Sequence, residues 1–192
     1  MSHLDRKQRE KEELRLKIFD AALCIAKAEG WSNVTIRKIA DKIEYTPPII
    51  YEHFNNKEDL FKEIVYNGFE QINNAFLEAR KLEDDPKKLI KSISIGQFDF
   101  AFKNRELFSL MFSTERPAPN QNMIKIFGMI RELFFNLAKG DTKLYEEIFL
   151  TWKYFTHGAI AVMLQYPPPP QFSHVNLREI YESMIDRYLN TI

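Results

Sequence analysis

The stretch VTIRKIADKIEYTPPIIYEHFNNKEDL, from Val34 to Leu60, carries two short helical segments separated by a turn. Thr35 stands where a helix N-cap is wanted, and Ile36, Ile39, Ala40 and Ile43 follow at three- and four-residue steps, giving one apolar side. After Glu44 and Tyr45, Thr46 occupies a second cap position. Pro47 and Pro48 fill the turn behind it, where the amides lack intrahelical partners and proline is tolerated. Ile49, Ile50, Tyr51 and Phe54 carry this segment up to Asn55-Asn56, and about eight residues span only ~12 Å. Two short helices joined by three or four residues and packed on a third have the geometry of a helix-turn-helix, whose second helix lies against base edges in the major groove of DNA.

Working outward, the helical period persists and no strand pattern interrupts it. Upstream, Leu14, Ile18, Ala21, Ala22, Ile25 and Ala26 form one apolar stripe, and Gly30 marks a C-terminal cap that ends this helix near Glu29. Downstream, a long helix is expected from about Lys57 to Lys81, broken at Glu83-Asp84-Asp85-Pro86. Further helices are expected near 87–103, 105–113, 121–139, 142–166 and 175–189. Pro117-Ala118-Pro119-Asn120 reads as a loop, and Pro167 to Pro170 as a stiff connector. The chain is therefore expected to be all-α with about nine helices. Residues 1–56 would form a three-helix helix-turn-helix domain, and residues 57–192 a helical domain for effector binding and dimerisation.

Composition is that of a soluble globular protein, with 45% hydrophobic and 28% charged residues among 192. Formal net charge is zero, and the first sixty residues balance eleven bases against eleven acids. Binding to nucleic acid must then come from the placement of charge rather than its sum. No apolar run reaches the roughly 18 residues of a membrane span. The charged N-terminus has no signal-peptide core, so a cytoplasmic location without membrane attachment is expected. The single cysteine, Cys24, excludes an intrachain disulfide. Four isolated histidines give no metal-ligand spacing, and six glycines form no phosphate loop. No cofactor, metal or catalytic residue is expected, and the chain does not read as an enzyme. Arg6, Lys7, Arg9 and Lys11 precede the apolar stripe and suggest a flexible basic arm. The interleaved Glu10, Glu12 and Glu13 favour a solvated helix start instead.

The run Val34 to Ala40, then Thr46, then Ile50-Tyr51-Glu52-His53-Phe54-Asn55-Asn56-Lys57-Glu58-Asp59-Leu60 resembles the DNA-binding domain of the tetracycline-repressor (TetR) family. Trp152 followed by His157-Gly158 resembles a C-terminal domain variant, of the WHG type, found in some members. The resemblance implies a transcriptional regulator, most simply a repressor, that binds double-stranded palindromic operator DNA as a homodimer. It further implies that Tyr51, His53 and Lys57 contact phosphates, with Thr35 and Thr46 adding contacts at helix starts. Arg37, Pro47, Pro48 and Ile49 would face the base edges, the arginine suited to guanine and the apolar groups to thymine methyls. Two positions depart from the family pattern: Glu44 stands where glycine is usual in the turn, and Pro47-Pro48 replace small or polar residues.

The resemblance also implies an effector pocket in the second domain. Phe98, Phe102, Phe108, Met111, Phe112, Met123, Phe127, Trp152 and Phe155 would supply an apolar wall for an aromatic or acyl ligand. Gln97, Arg105, Tyr154 and His157 would be its polar anchors. Most such residues in any helical domain are ordinary core. The last two helices carry more apolar surface than one neighbour covers, which fits homodimerisation through them. A second reading, a ligand-binding or scaffold protein whose helix-turn-helix has lost specific DNA binding, stays open beside the regulator.

Overall fold

The computed structural model describes residues 3–113, 117–166 and 168–192. Among them the chain is built of nine α-helices with two short 3-10 turns and no strand. The helices are α1 (His3–Glu29), α2 (Ile36–Lys42), α3 (Pro47–Tyr51), α4 (Lys57–Leu82), α5 (Pro86–Lys103), α6 (Arg105–Met111), α7 (Gln121–Leu137), α8 (Thr142–Gln165) and α9 (Leu177–Leu189). None is long and apolar enough to cross a membrane.

The chain divides into two compact units. One comprises 1–67 with 109–117, and the other 68–108 with 118–192. The boundary falls inside α4, between Asn67 and Gly68, and again inside α6.

In the first unit, α1 ends where Gly30 adopts φ 83°, a left-handed conformation that glycine takes without steric cost. The Gly30 amide closes the helix on the Ala26 carbonyl at 2.8 Å. α1 begins with the solvated helix start that the interleaved acids favoured. Arg6, Lys7, Arg9 and Lys11 belong to its first turns and not to a flexible arm. Its buried face (Ile18, Ala22, Ile25 and Ala26) packs with Val34, Ile39, Ala40, Ile50, Phe54, Leu60 and Ile64 as one small core. Arg15 crosses the edge of that core. Its guanidinium lies 5.1 Å from the Phe54 ring centroid and 5.8 Å from that of Phe19, and donates to Glu63 at 2.9 Å.

In the second unit, α5 lies at the centre against α7, α8 and α9. Its buried residues Leu89, Ile90, Ile93, Phe98 and Ala101 meet Phe134, Trp152, Ile160, Tyr181 and Ile185 in the core. A buried hydrogen-bond chain runs through the middle. Trp152 Nε1 donates to Ser94 Oγ at 2.8 Å, and Ser94 Oγ donates to the Ile90 carbonyl at 2.7 Å. Charges line the outer seam between α5 and α9. Lys91 reaches Asp186 at 2.7 Å and Glu182 at 3.0 Å, and Arg178 grips Asp99 at 2.8 Å and 3.1 Å. These pairs are substantially exposed, so each adds little stability beyond fixing the register of α9. The Tyr188 hydroxyl donates to the Ile148 carbonyl, and burial pushes its pKa up to about 12.

Trp152→Phe removes the indole donor and leaves Ser94 bonded to Ile90. A net hydrogen bond is worth ~1 kcal/mol, and the smaller ring leaves a gap costing about as much again. The expected loss in a denaturant melt is ~2 kcal/mol, and an unchanged midpoint would show that the indole contact contributes nothing.

Candidate nucleic-acid interface

The turn between α2 and α3 forms by a specific device. Ile43 ends α2, Glu44 adopts φ 60°, and the Tyr45 amide bonds back to the Ala40 carbonyl at 3.0 Å. This is a Schellman closure with a glutamate in the left-handed position that glycine usually fills. Holding a side chain there costs on the order of 1 kcal/mol. The departure from glycine noted in the sequence therefore changes the local energy and leaves the turn itself intact.

Thr35 caps α2 as expected, accepting from the Lys38 amide at 3.2 Å. Thr46 does not act in the same way. A capping hydroxyl needs the amide of the second or third helical residue. Pro48 has none, and the Ile49 amide is taken by the Thr46 carbonyl at 3.0 Å. The Thr46 side chain makes no capping bond and is exposed. α3 is also shorter than the sequence suggests. It stops at Tyr51, because the amides of both His53 and Phe54 turn onto the Ile50 carbonyl at 3.0 Å.

α3 faces two ways. Ile50 is completely buried and Phe54 nearly so, while Pro48 and Tyr51 are exposed and Pro47 and Ile49 lie half-buried. On α2, Arg37 is exposed and makes no hydrogen bond or ion pair among the described residues, whereas Lys38 is paired with Glu29. The next helix starts at once. Asn56 Oδ1 accepts the Asp59 amide at 2.7 Å, and the Asp59 carboxylate accepts the Asn55 amide at 3.1 Å. This reciprocal cap fixes the direction of α4 within two residues of Phe54. Lys57, in the first turn, lays its ammonium 5.0 Å from the Phe61 ring centroid. Tyr45, exposed in the turn before α3, was not singled out from the sequence, since turn residues give no periodic signal.

His53 is the member of the expected set that fits least. Its ring is half-buried beside Phe54, and Nδ1 is buried with no hydrogen-bond partner among the described residues. Desolvation lowers its pKa first, and the positive charges of Lys11 and Arg15 lower it further. A neutral imidazole with one nitrogen enclosed can offer a phosphate at most its other nitrogen.

The expected pocket residues are distributed differently. Phe98, Phe108, Met123 and Trp152 are buried in the second unit. Phe98 and Phe102 stack on each other, and His157 stacks on Phe108. Phe155 is half-buried, and Phe127, at the edge, meets Phe69. The Arg105 guanidinium is spent on the Leu164 carbonyl. Met111 and Phe112 belong to the first unit. Gln97 lines a cavity of about 70 Å³ between α4 and α5, together with Gln71, Phe76 and Phe100. Small-molecule sites are usually several hundred Å³. Among the described residues no cluster of His, Cys, Asp or Glu could hold a metal.

Residues 18–64 match the family of bacterial regulatory proteins, tetR family. The biofilm operon negative transcriptional regulator IcaR of Staphylococcus aureus is 24% identical over 131 residues, covering 68% of this chain and 69% of that protein. Among solved structures, a protein from a Rhodococcus species superposes with a TM-score of 0.71 at 15% identity, over 93% of this chain and 95% of the other. The TetR family regulator PfmR from Thermus thermophilus does so with a TM-score of 0.63 at 15% identity, over 90% and 97%.

Because folding disfavours the charged form of His53, the unfolded chain binds more protons once the pH drops below ~6.5. Stability from the neutral imidazole is present above that value and is lost as the pH falls from there through the lower folded pKa. Denaturant melts between about pH 7 and pH 5 are expected to lose stability more steeply for the natural chain than for His53→Gln. Parallel curves would mean that the imidazole titrates freely in the folded state.

Proposed function

We propose that the chain is a DNA-binding transcriptional regulator of the TetR family, acting as a dimeric repressor of a palindromic operator and released by a small apolar ligand. The observation that carries this reading is the two-sided α3. Ile50 and Phe54 hold it to the core, and Pro48, Ile49 and Tyr51 are left to meet DNA. Arg37 and the α3 residues Pro47, Pro48 and Ile49 read base edges. Thr35, Thr46, Tyr51 and Lys57 bind phosphates, Thr46 with a hydroxyl that no cap consumes. His53 serves mainly to support Phe54. Repression follows the negative regulation carried by the name of the staphylococcal relative.

Dimerisation through α8 and α9 would set two α3 helices about one DNA turn apart, ~34 Å. Leu150, Tyr154, Gly158 and Val162 recur every four residues on α8 and are all exposed, as is Ile180 on α9. A glycine inside a helix costs ~1 kcal/mol against alanine, and among the described residues no neighbour lies within 4 Å of where a Gly158 side chain would begin. A second copy packed closely there gives the glycine a purpose. Ligand control uses the crevice beside Gln71 and Gln97. An apolar ligand that prefers a widened crevice shifts α4, which belongs to both units, and lowers DNA affinity by about 1–3 kcal/mol of coupling.

Association with a random-sequence duplex at low salt tests DNA binding itself. Salt-dependent binding is expected, and Lys57→Ala should reduce the slope of log affinity against log salt by about 1; an unchanged slope removes Lys57 from the phosphate set. For the dimer, Gly158→Leu is expected to keep the helical content and weaken self-association at least tenfold in sedimentation. A variant that dimerises as before places the interface elsewhere.

A further inference from the structure

The first turns of α1 stand apart from the core. Every residue from Asp5 to Glu13 is exposed, and burial begins only further along the helix, at Ile18. The helical period shows which way these turns face. At ~100° per residue, Lys7, Lys11, Arg15, Ile18, Ala22 and Ile25 all fall within about 40° of the direction of Lys11. The side that α1 buries from Ile18 onward thus continues as a basic ridge once it passes the edge of the core. Arg15 marks that edge, lying over Phe54 and bonded to Glu63. The ridge is therefore carried past the α3–α4 corner, where Tyr51, His53 and Lys57 stand.

The acids that balance the overall charge do not cancel this ridge. Glu10 is held by Arg6 at 2.8 Å, and Glu12 lies 3.7 Å from Arg15. Glu13 lies roughly 160° round the helix from Lys11 and Asp5 about 120°. Glu52, directly after Tyr51, is the acid left on the α3 side. Lys7 and Lys11 make no ion pair among the described residues. The field of Lys11 at the His53 imidazole agrees with its position beside α3.

We infer that the projecting turns of α1 are a second, rigid DNA contact, in which Lys7 and Lys11 bind phosphates beyond those met by the helix-turn-helix. The inference rests on the DNA-binding role of α3 proposed above. A helix needs no ordering on binding, unlike a flexible arm, so each amine keeps more of its Coulomb gain. The two amines sit ~6 Å apart along the axis, a spacing that lets them meet different phosphates.

The experiment compares the full chain with Lys7→Ala/Lys11→Ala, Lys7→Arg/Lys11→Arg and the control Lys17→Ala on a random-sequence duplex over a range of salt. Lys17 is exposed on the same helix but points ~120° away from Lys11. The double alanine variant is expected to lose about 2 from the salt slope per protomer and at least tenfold in affinity at low salt, with unchanged circular dichroism. The arginine pair should restore both, and Lys17→Ala should change neither. If the natural chain binds and the double alanine variant keeps its slope, the α1 contact is overturned while the α3 reading stands. If the natural chain shows no salt-dependent binding, both fall.

Discussion

A helix of five residues with proline at its first two positions cannot hold itself together in water, where even good sequences need about 12–15 residues. α3 exists because Ile50 and Phe54 are buried, and the remaining geometry of the first unit follows from that anchoring. Phe54 is closed from one side by Phe19 and by the Arg15 guanidinium, which in turn ties α1 to α4 through Glu63. The capped start of α4 follows within two residues. The outward face of α3 is thus positioned chiefly by the buried Ile50, Phe54 and Phe19 on its other side.

The same anchoring sorts the residues that sequence alone grouped together. Tyr51 and Lys57 keep accessible polar groups, whereas His53, between them, is drawn partly into the packing that holds Phe54. The two prolines have a consequence beyond removing donors. Pro48 lacks one of the two amides the Thr46 hydroxyl could cap, and the Ile49 amide is taken by the Thr46 carbonyl, so that hydroxyl stays free. Glu44 bears the strain of the left-handed turn position and still closes the Schellman bond, so the α2–α3 angle does not depend on glycine.

The second unit shows where periodicity stops being informative. Its phenylalanines recur at core spacing whether they seal an interior or line a cavity, because burial and pocket walls demand the same apolar groups. Trp152 reads from the sequence as a pocket wall, but its indole nitrogen is committed to Ser94, 58 positions earlier in the chain. Arg105, expected as a polar anchor, instead satisfies the Leu164 carbonyl near the end of α8.

From the residues alone, one could read the all-helical class, the stop at Gly30, the Thr35 cap, the two-helix motif and the family it resembles. These are set by interactions within four or five positions, where period, caps and glycine act directly. Tertiary structure alone decided which side of α3 is covered, that His53 leans inward, and where cavity space lies. Each of these depends on contacts between segments far apart in the chain, such as Arg15 with Glu63 or Ser94 with Trp152, and no local pattern encodes them.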